Sequence, residues 1–137
     1  METFTWEAAL QFAAERYGAP PEYLWASDPE AAVLRRTDTG KWFALYMRVP
    51  RARLGLPGEG KAALLDLKCD PLLTGALRAR EGFLPAYHMN KERWVAVLLD
   101  GPVDREEGCA LLEESWRLAG PKIKRRRSPK PDETAAL

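Results

Sequence analysis

The decapeptide PAYHMNKERW contains the side chains of this chain that are best suited to do chemistry. Its centre is His88, the only histidine among the 137 residues. An aromatic ring can stack on a base, an amide can hydrogen-bond to base edges and an ammonium can neutralise a phosphate. One hypothesis is therefore a ligand pocket within this segment. Its candidate residues are Tyr87, His88, Asn90 and Trp94, with Lys91 beside them.

A structural role explains the same residues in another way. The segment leads into WVAVLLD, an apolar run that indicates a strand buried on both faces. Backbone groups next to such a strand need hydrogen-bond partners, which His88 and Asn90 could supply. Met89 would then fill a gap in the core and Trp94 would anchor the sheet. Lys91 fits this role least, because an ammonium is costly in an apolar interior.

Charge is distributed unevenly along the chain, although the net charge is only +1. Residues 1–30 carry net −5 and residues 31–61 carry net +5. Residues 62–120 carry net −3, and the end of the chain, residues 121–137, carries net +4. A basic middle and a basic end are features that a polyanionic partner could use.

These basic segments predict weak, sequence-independent binding of DNA through the backbone phosphates. The predicted contacts are Lys41, Arg48, Arg51, Arg53, Lys61, Lys91, Lys122, Lys124, Arg125, Arg126 and Arg127. Alternatively, the arginines of the middle segment only cover a solvent-facing sheet edge. Trp42, Phe43 and Tyr46 are expected to pack internally, so duplex or non-specific binding is expected if nucleic acid is bound at all. A protein or small-anion partner at Tyr87, His88 and Lys91 is the second possibility.

Nothing in the sequence indicates a catalytic site. None of the three serines lies in a glycine-flanked strand-to-helix turn. Cys69 alternates with polar neighbours as a core residue does, which favours an inert thiol. One histidine and two distant cysteines, Cys69 and Cys109, do not form a tetrahedral zinc set. We therefore expect no enzyme activity, no metal site and no cofactor.

The helices and strands that must position these residues can be predicted from hydrophobic periodicity and from the capping and turn residues between them. Helices are predicted over residues 5–17, 70–82 and 104–120, each begun by a capping Thr or Asp and ended by glycine. Strands are predicted over residues 31–37, 41–49, 62–69 and 94–100. Tight turns between consecutive strands imply an antiparallel sheet. The expected fold is α+β: a two-layer sandwich of four to five strands against the N- and C-terminal helices.

Simple alternation within the second strand places Trp42, Ala44 and Tyr46 on one face. It places Phe43, Leu45 and Met47 on the other face. Residues 51–61 carry three glycines and no period, so they are expected to form a loop or hairpin tip.

One domain is predicted over residues 1–120, followed by a basic, disordered tail over 121–137. The N-terminal METFTWEAAL lacks the pattern of a secretory signal, and no apolar run is long enough to span a membrane. We therefore expect a cytoplasmic protein, and a monomer rather than an oligomer.

Several blocks of the sequence resemble one family of small bacterial proteins. The blocks are WFALYMRV, LLDLKCDP, EGFLPAYHMNKERWVAVLLDG and LLEESWRLA. In this order they are similar to the YjbR/MmcQ family, over roughly residues 31–119. The resemblance implies a fold like that of CyaY, the bacterial frataxin, and the family's description as double-wing DNA-binding proteins. It implies no catalytic activity or cofactor, and the basic tail lies beyond the shared blocks.

Overall fold

A computed structural model of the chain describes residues 2–121. It contains three α-helices, five β-strands and a short 3-10 helix at Arg51–Leu54. The helices are α1 Trp6–Tyr17, α2 Pro71–Arg78 and α3 Arg105–Leu118. The strands are β1 Ala32–Arg35, β2 Trp42–Pro50, β3 Lys61–Lys68, β4 Phe83–Pro85 and β5 Trp94–Leu98.

The strands form one antiparallel sheet in the order β1-β2-β3-β5-β4. The expected α+β fold with four to five strands is confirmed. The short strand β4 was not predicted, because its three residues lie within a segment that shows no alternation. It pairs with β5 by placing Phe83 opposite Val97 and Pro85 opposite Val95.

The predicted caps begin the helices where the sequence indicated. The Thr5 hydroxyl accepts the Ala8 N–H, and Gly18 ends α1 in the left-handed conformation. The Asp70 carboxylate accepts the Leu72 N–H at the start of α2. The Asp104 carboxylate does the same for α3 through the Glu106 N–H. These caps fix the residues at which the helices begin.

The two faces of the sheet are covered differently. The helix face packs against α1 and α3 in a core that includes Phe4, Phe43 and Leu112, all fully buried. The opposite face, here called the loop face, has no helix longer than one turn within the described part of the chain. Its buried aliphatic residues are Ala31, Val33, Leu45, Met47, Val49, Leu64 and Ala96. Loop residues, among them Trp25, Tyr87 and Met89, cover them.

A β-bulge corrects the predicted alternation at the start of β2. Leu34 faces Ala44 but Arg35 faces Trp42, so Phe43 is an extra residue without a partner on β1. Phe43 and Ala44 therefore both pack on the helix face. Trp42 moves to the loop face, where it joins the second cluster. The prediction that Trp42 shares a face with Tyr46 was wrong for this reason.

The Ser115 hydroxyl of α3 holds the bulge in place. Ser115 is fully buried, donates a hydrogen bond to the Phe43 carbonyl at 2.5 Å and accepts one from the Lys68 N–H at 2.8 Å. The β2–β3 register would place Phe43 and Lys68 opposite each other. The hydroxyl thus bridges a carbonyl of β2 and an N–H next in line on β3, in place of a direct hydrogen bond between the strands. It also attaches α3 to both strands.

Other predictions meet the structure with smaller differences. The segment after β2 begins with the 3-10 helix instead of a fully irregular loop. Glu107 does not complete a capping box, because its carboxylate pairs with Arg80, which follows α2. The tail residues Lys122, Lys124, Arg125, Arg126 and Arg127 lie outside the described residues. Over residues 2–121, no helix is both long and apolar enough to cross a membrane.

We expect Ser115→Ala to lower the free energy of unfolding by about 1–3 kcal/mol, because a buried carbonyl and a buried N–H lose their partner. Urea unfolding measures this loss. Ser27→Ala, which changes an exposed serine, should stay within about 0.5 kcal/mol of the parent protein. Equal effects of the two substitutions would show that the Ser115 bridge does not stabilise the bulge.

Candidate functional site

A groove runs along β2 on the loop face. One wall is the segment 25–28 that precedes β1, and the other is the turn 87–89 within the decapeptide. The floor is formed by Leu45, Met47 and Val49. From Trp42 to Pro50 the strand spans about 26 Å at a rise of ~3.3 Å per residue. The groove therefore follows most of the length of the sheet.

The end of the groove near Trp42 is an aromatic recess of about 340 Å³. The Trp25 and Trp42 rings lie 5.8 Å apart and nearly perpendicular, at 88°. Met47 and Met89 add flexible apolar surface, and both indoles are half-buried. The volume lies in the range of small-molecule sites.

The other end is a cationic recess of about 320 Å³. Arg48, Arg53 and Lys61 line it, and Asp28 is its only carboxylate among the described residues. Two of the predicted cations near it are already engaged. Arg48 Nε lies 4.0 Å from the Glu30 carboxylate, and the Arg51 guanidinium donates to the Pro57 carbonyl at 2.6 Å.

Arg53 and Lys61 remain available for a ligand. Both are exposed, and among residues 2–121 neither has a carboxylate within 4.0 Å. On the helix side of this end, Arg48, Arg51 and Lys61 also border a third recess with Glu7 and Asp100. Of these two recesses, the one on the loop face therefore has fewer carboxylates to balance its cations.

The remaining predicted phosphate contacts lie elsewhere. Lys41 precedes β2, so it is about 30 Å of strand away from Pro50 and Lys61. The charge of Lys41 lowers the pKa of Lys68, a smaller effect than the burial of Lys68. Lys91 is exposed on the loop before β5 and lines neither recess of the groove. The predicted cations thus lie at two ends of the sheet.

Two pocket candidates have structural roles. The Asn90 side-chain carbonyl accepts the Glu92 and Arg93 N–H groups at 2.8 and 3.1 Å and so fixes the turn into β5. Trp94 is buried in the sheet, with the Lys68 ammonium 5.4 Å from its ring centroid. Neither residue lines the groove.

His88 and Tyr87 do lie at the groove. His88 is exposed and lines both recesses, and Tyr87 lines the cationic one. Their rings meet edge-on at 4.3 Å. His88 has φ 69°, a left-handed conformation that costs a non-glycine residue roughly 1–2 kcal/mol. The turn therefore holds the imidazole at the junction of the two recesses despite backbone strain.

Asp66 is the residue of this region that sequence reasoning missed. It lies in β3 on the loop face and is completely buried. One oxygen, Oδ1, accepts the Tyr87 N–H at 3.4 Å, whereas Oδ2 has no partner within the described chain. Burial raises its pKa to about 7, although the Tyr87 N–H and the charge of Lys91 both act to lower it. An acid inside the apolar run AALLDLKC was the available signal.

Asp66 should make the protein less stable as the pH rises. Its pKa is higher in the folded chain than the unfolded value of 3.8, so its contribution is full below pH 4 and is lost up to about pH 7. We expect Asp66→Asn to be more stable than the parent protein at pH 8 by about 2 kcal/mol or more. Below pH 4 this advantage should disappear.

Chemical denaturation at pH 3.5, 5.5 and 8 measures the difference between the two proteins. Asp38→Asn provides a control of opposite sign, because Arg36 lowers the pKa of Asp38 to about 2. That variant should be less stable than the parent above pH 4. A constant difference for Asp66→Asn at all three pH values would contradict the assignment.

Comparison with known proteins places this geometry in a family. Residues 14–118 match the sequence model of the YjbR family. The uncharacterised protein YyaQ of Bacillus subtilis is 40% identical over 114 residues, which is 83% of this chain and 97% of YyaQ.

Solved structures agree with this match. A crystal structure of a Pseudomonas syringae protein superposes with a TM-score of 0.82 at 38% identity, covering 85% of this chain and 100% of that one. Deinococcus radiodurans protein DR2400, which has a DUF419 domain, gives a TM-score of 0.67 at 25% identity, covering 90% and 86% of the two chains. The resemblance seen in the sequence blocks is confirmed, and the chain belongs to the YjbR family.

Proposed function

We propose that this protein binds nucleic acid along the loop-face groove, without catalysis and in the cytoplasm. The observation that carries the proposal is the placement of charge along β2. Arg53 and Lys61 lie at one end of the groove and Lys41 lies beyond the other. An extended polyanion that follows the strand would meet positive charge at both ends.

The arrangement of ion pairs on the rest of the surface supports the same choice of face. The arginines of α1 and α3 are paired with carboxylates: Arg16 with Glu113, Arg105 with Glu2 and Arg117 with Glu114. Among the described residues, Lys41, Arg53 and Lys61 have no such partner within 4.0 Å, and the same holds for five cations that do not line the groove: Arg51, Lys68, Arg78, Lys91 and Arg93. A cation without a carboxylate partner contributes more to phosphate binding than a cation that a neighbouring acid already neutralises.

The non-catalytic part of the proposal rests on the state of the thiols. Cys69 is buried and Cys109 is half-buried. Burial raises the pKa of both thiols, which keeps them protonated and poorly nucleophilic at neutral pH. His88 lines the groove far from the helix face on which Cys69 packs.

Removing the two free cations should weaken binding and reduce its salt dependence. Each lost phosphate contact flattens the slope of log K against log salt by about 0.7–0.9. For Arg53→Gln with Lys61→Gln we therefore expect a slope that is smaller by about 1.4–1.8 in magnitude. Fluorescence anisotropy with a labelled oligonucleotide between 25 and 200 mM salt gives both quantities.

Arg16→Gln with Arg117→Gln is the matched control, since it removes the same charge from the helix layer. Its slope should equal that of the parent protein. If both double variants lose affinity equally, net charge and not the groove governs binding. If no oligonucleotide binds even at the lowest salt, the proposed function is wrong.

A small organic anion is the second candidate, favoured by the two recesses that meet at Met47 and His88. A ligand with an aromatic body and one acidic group would place the body in the aromatic recess and direct the acid toward the cationic recess, across the junction at Met47 and His88. Such a ligand would occupy the middle of the groove and would not reach Lys41.

Thermal-shift screening with aromatic carboxylates and nucleoside monophosphates tests this candidate. A compound that binds only the native state stabilises it by ~2.7 kcal/mol at a concentration of a hundred times Kd. This stabilisation raises the melting temperature. His88→Asn keeps a residue that tolerates the left-handed turn and removes the imidazole. The shift should shrink in His88→Asn and persist in Lys91→Ala, whose side chain lies off the groove. Equal shifts in both variants would exclude the groove as the binding site.

A further inference from the structure

We infer that the aromatic recess accepts one unpaired base, so that the protein binds single-stranded nucleic acid in preference to a duplex. This inference rests on the proposed function and specifies which form of nucleic acid the groove takes. It replaces the expectation of duplex or non-specific binding, which depended on the internal packing of three aromatic residues.

Only two of those three aromatic residues pack internally. Phe43 is fully buried on the helix face, and Tyr46 stacks on Trp6 with ring centroids 4.3 Å apart. Trp42 instead lines the groove, because the bulge turns it to the loop face. The bulge therefore supplies the stacking surface that simple alternation had assigned to the core.

Two indole rings border the recess and are candidates for stacking on a planar ligand. Trp25 and Trp42 meet edge to face, so neither indole is sandwiched by the other, and both border the recess. Met47 and Met89 lie around them and can adapt to bases of different size. Stacking on an aromatic ring does not discriminate strongly between bases, because every base has a π-face.

The wall of the recess is formed by backbone hydrogen bonds before any ligand binds. The Asp28 N–H donates to the Trp25 carbonyl at 3.3 Å, and the Ala31 N–H donates to the Asp28 carbonyl at 3.1 Å. Ser27 and Asp28 border both recesses and offer hydroxyl and carboxylate oxygens to base amino groups. The Asp28 charge also repels phosphates, which favours a base over a phosphate at this point.

Only an unstacked base can use such a hollow. In a duplex both faces of each base are covered by stacking, and extruding one base costs a few kcal/mol. A single strand can insert a base at much lower cost while its phosphates reach Lys41 on one side and Lys61 on the other. A groove of about 26 Å suits the short end of the ~4–16 nucleotides that single-strand grooves cover.

The test compares three labelled probes by fluorescence anisotropy with the full chain at one low salt concentration. The probes are an oligothymidylate of about twelve nucleotides, an abasic strand with the same number of phosphates and a blunt-ended duplex whose strands have the same length. We expect the oligothymidylate to bind about 10-fold or more tightly than the abasic strand and the duplex. Trp42→Leu should reduce its affinity to the abasic level and leave abasic binding unchanged.

Trp25→Leu provides a second variant in case Trp42→Leu does not fold, and circular dichroism verifies both. Lys91→Ala is the control off the groove and should keep the preference for bases. Equal binding of the oligothymidylate and the abasic strand would overturn the base recess and leave phosphate binding in place. The absence of binding by all three probes would overturn the proposed function as well.

Discussion

The bridge from Ser115 to the first rung of β2 and β3 is the interaction on which the groove depends. A bulge leaves a carbonyl and an N–H of the sheet without their usual partners, and buried groups of this kind must be paired. The Ser115 hydroxyl pairs with both, at 2.5 Å from the Phe43 carbonyl and 2.8 Å from the Lys68 nitrogen. Because α3 supplies the hydroxyl, the packing of a helix on one face determines which aromatic residue is presented on the other.

The second constraint is that a central sheet has two apolar faces but the described chain has long helices for only one. The loop face is covered instead by the segment 25–28 and the turn 87–89, which leave a gap above β2. Loops cannot close such a gap as tightly as a helix, since their backbone polar groups must also find partners. A groove between two loop walls follows from this mismatch between the width of the sheet and the number of covering elements.

Local signals in the sequence predicted most of the fold, but only part of the site. Thr5, Asp70 and Asp104 cap helices because capping depends on a few adjacent residues. The face of Trp42 depends on Ser115, which is 73 positions away, so alternation within β2 could not predict it. The burial of Asp66 likewise depends on the turn at Tyr87, which folds over β3 from a distant part of the chain.

The turn at His88 is energetically unfavourable, which indicates that the loop face is not optimised for stability alone. His88 holds a left-handed conformation, and the Oδ2 atom of buried Asp66 lacks a partner among the described residues. The helix side also has a left-handed residue, Asp100 with φ 58°, and an unpaired buried group, the Tyr17 hydroxyl. A neutral hydroxyl is cheaper to leave unpaired than a carboxyl group. Strain and unsatisfied polar groups tend to collect at functional sites, where local rules give way to another requirement. Both costs of the loop face meet at the wall of the groove, and this coincidence favours the groove over the helix layer as the place where a ligand binds.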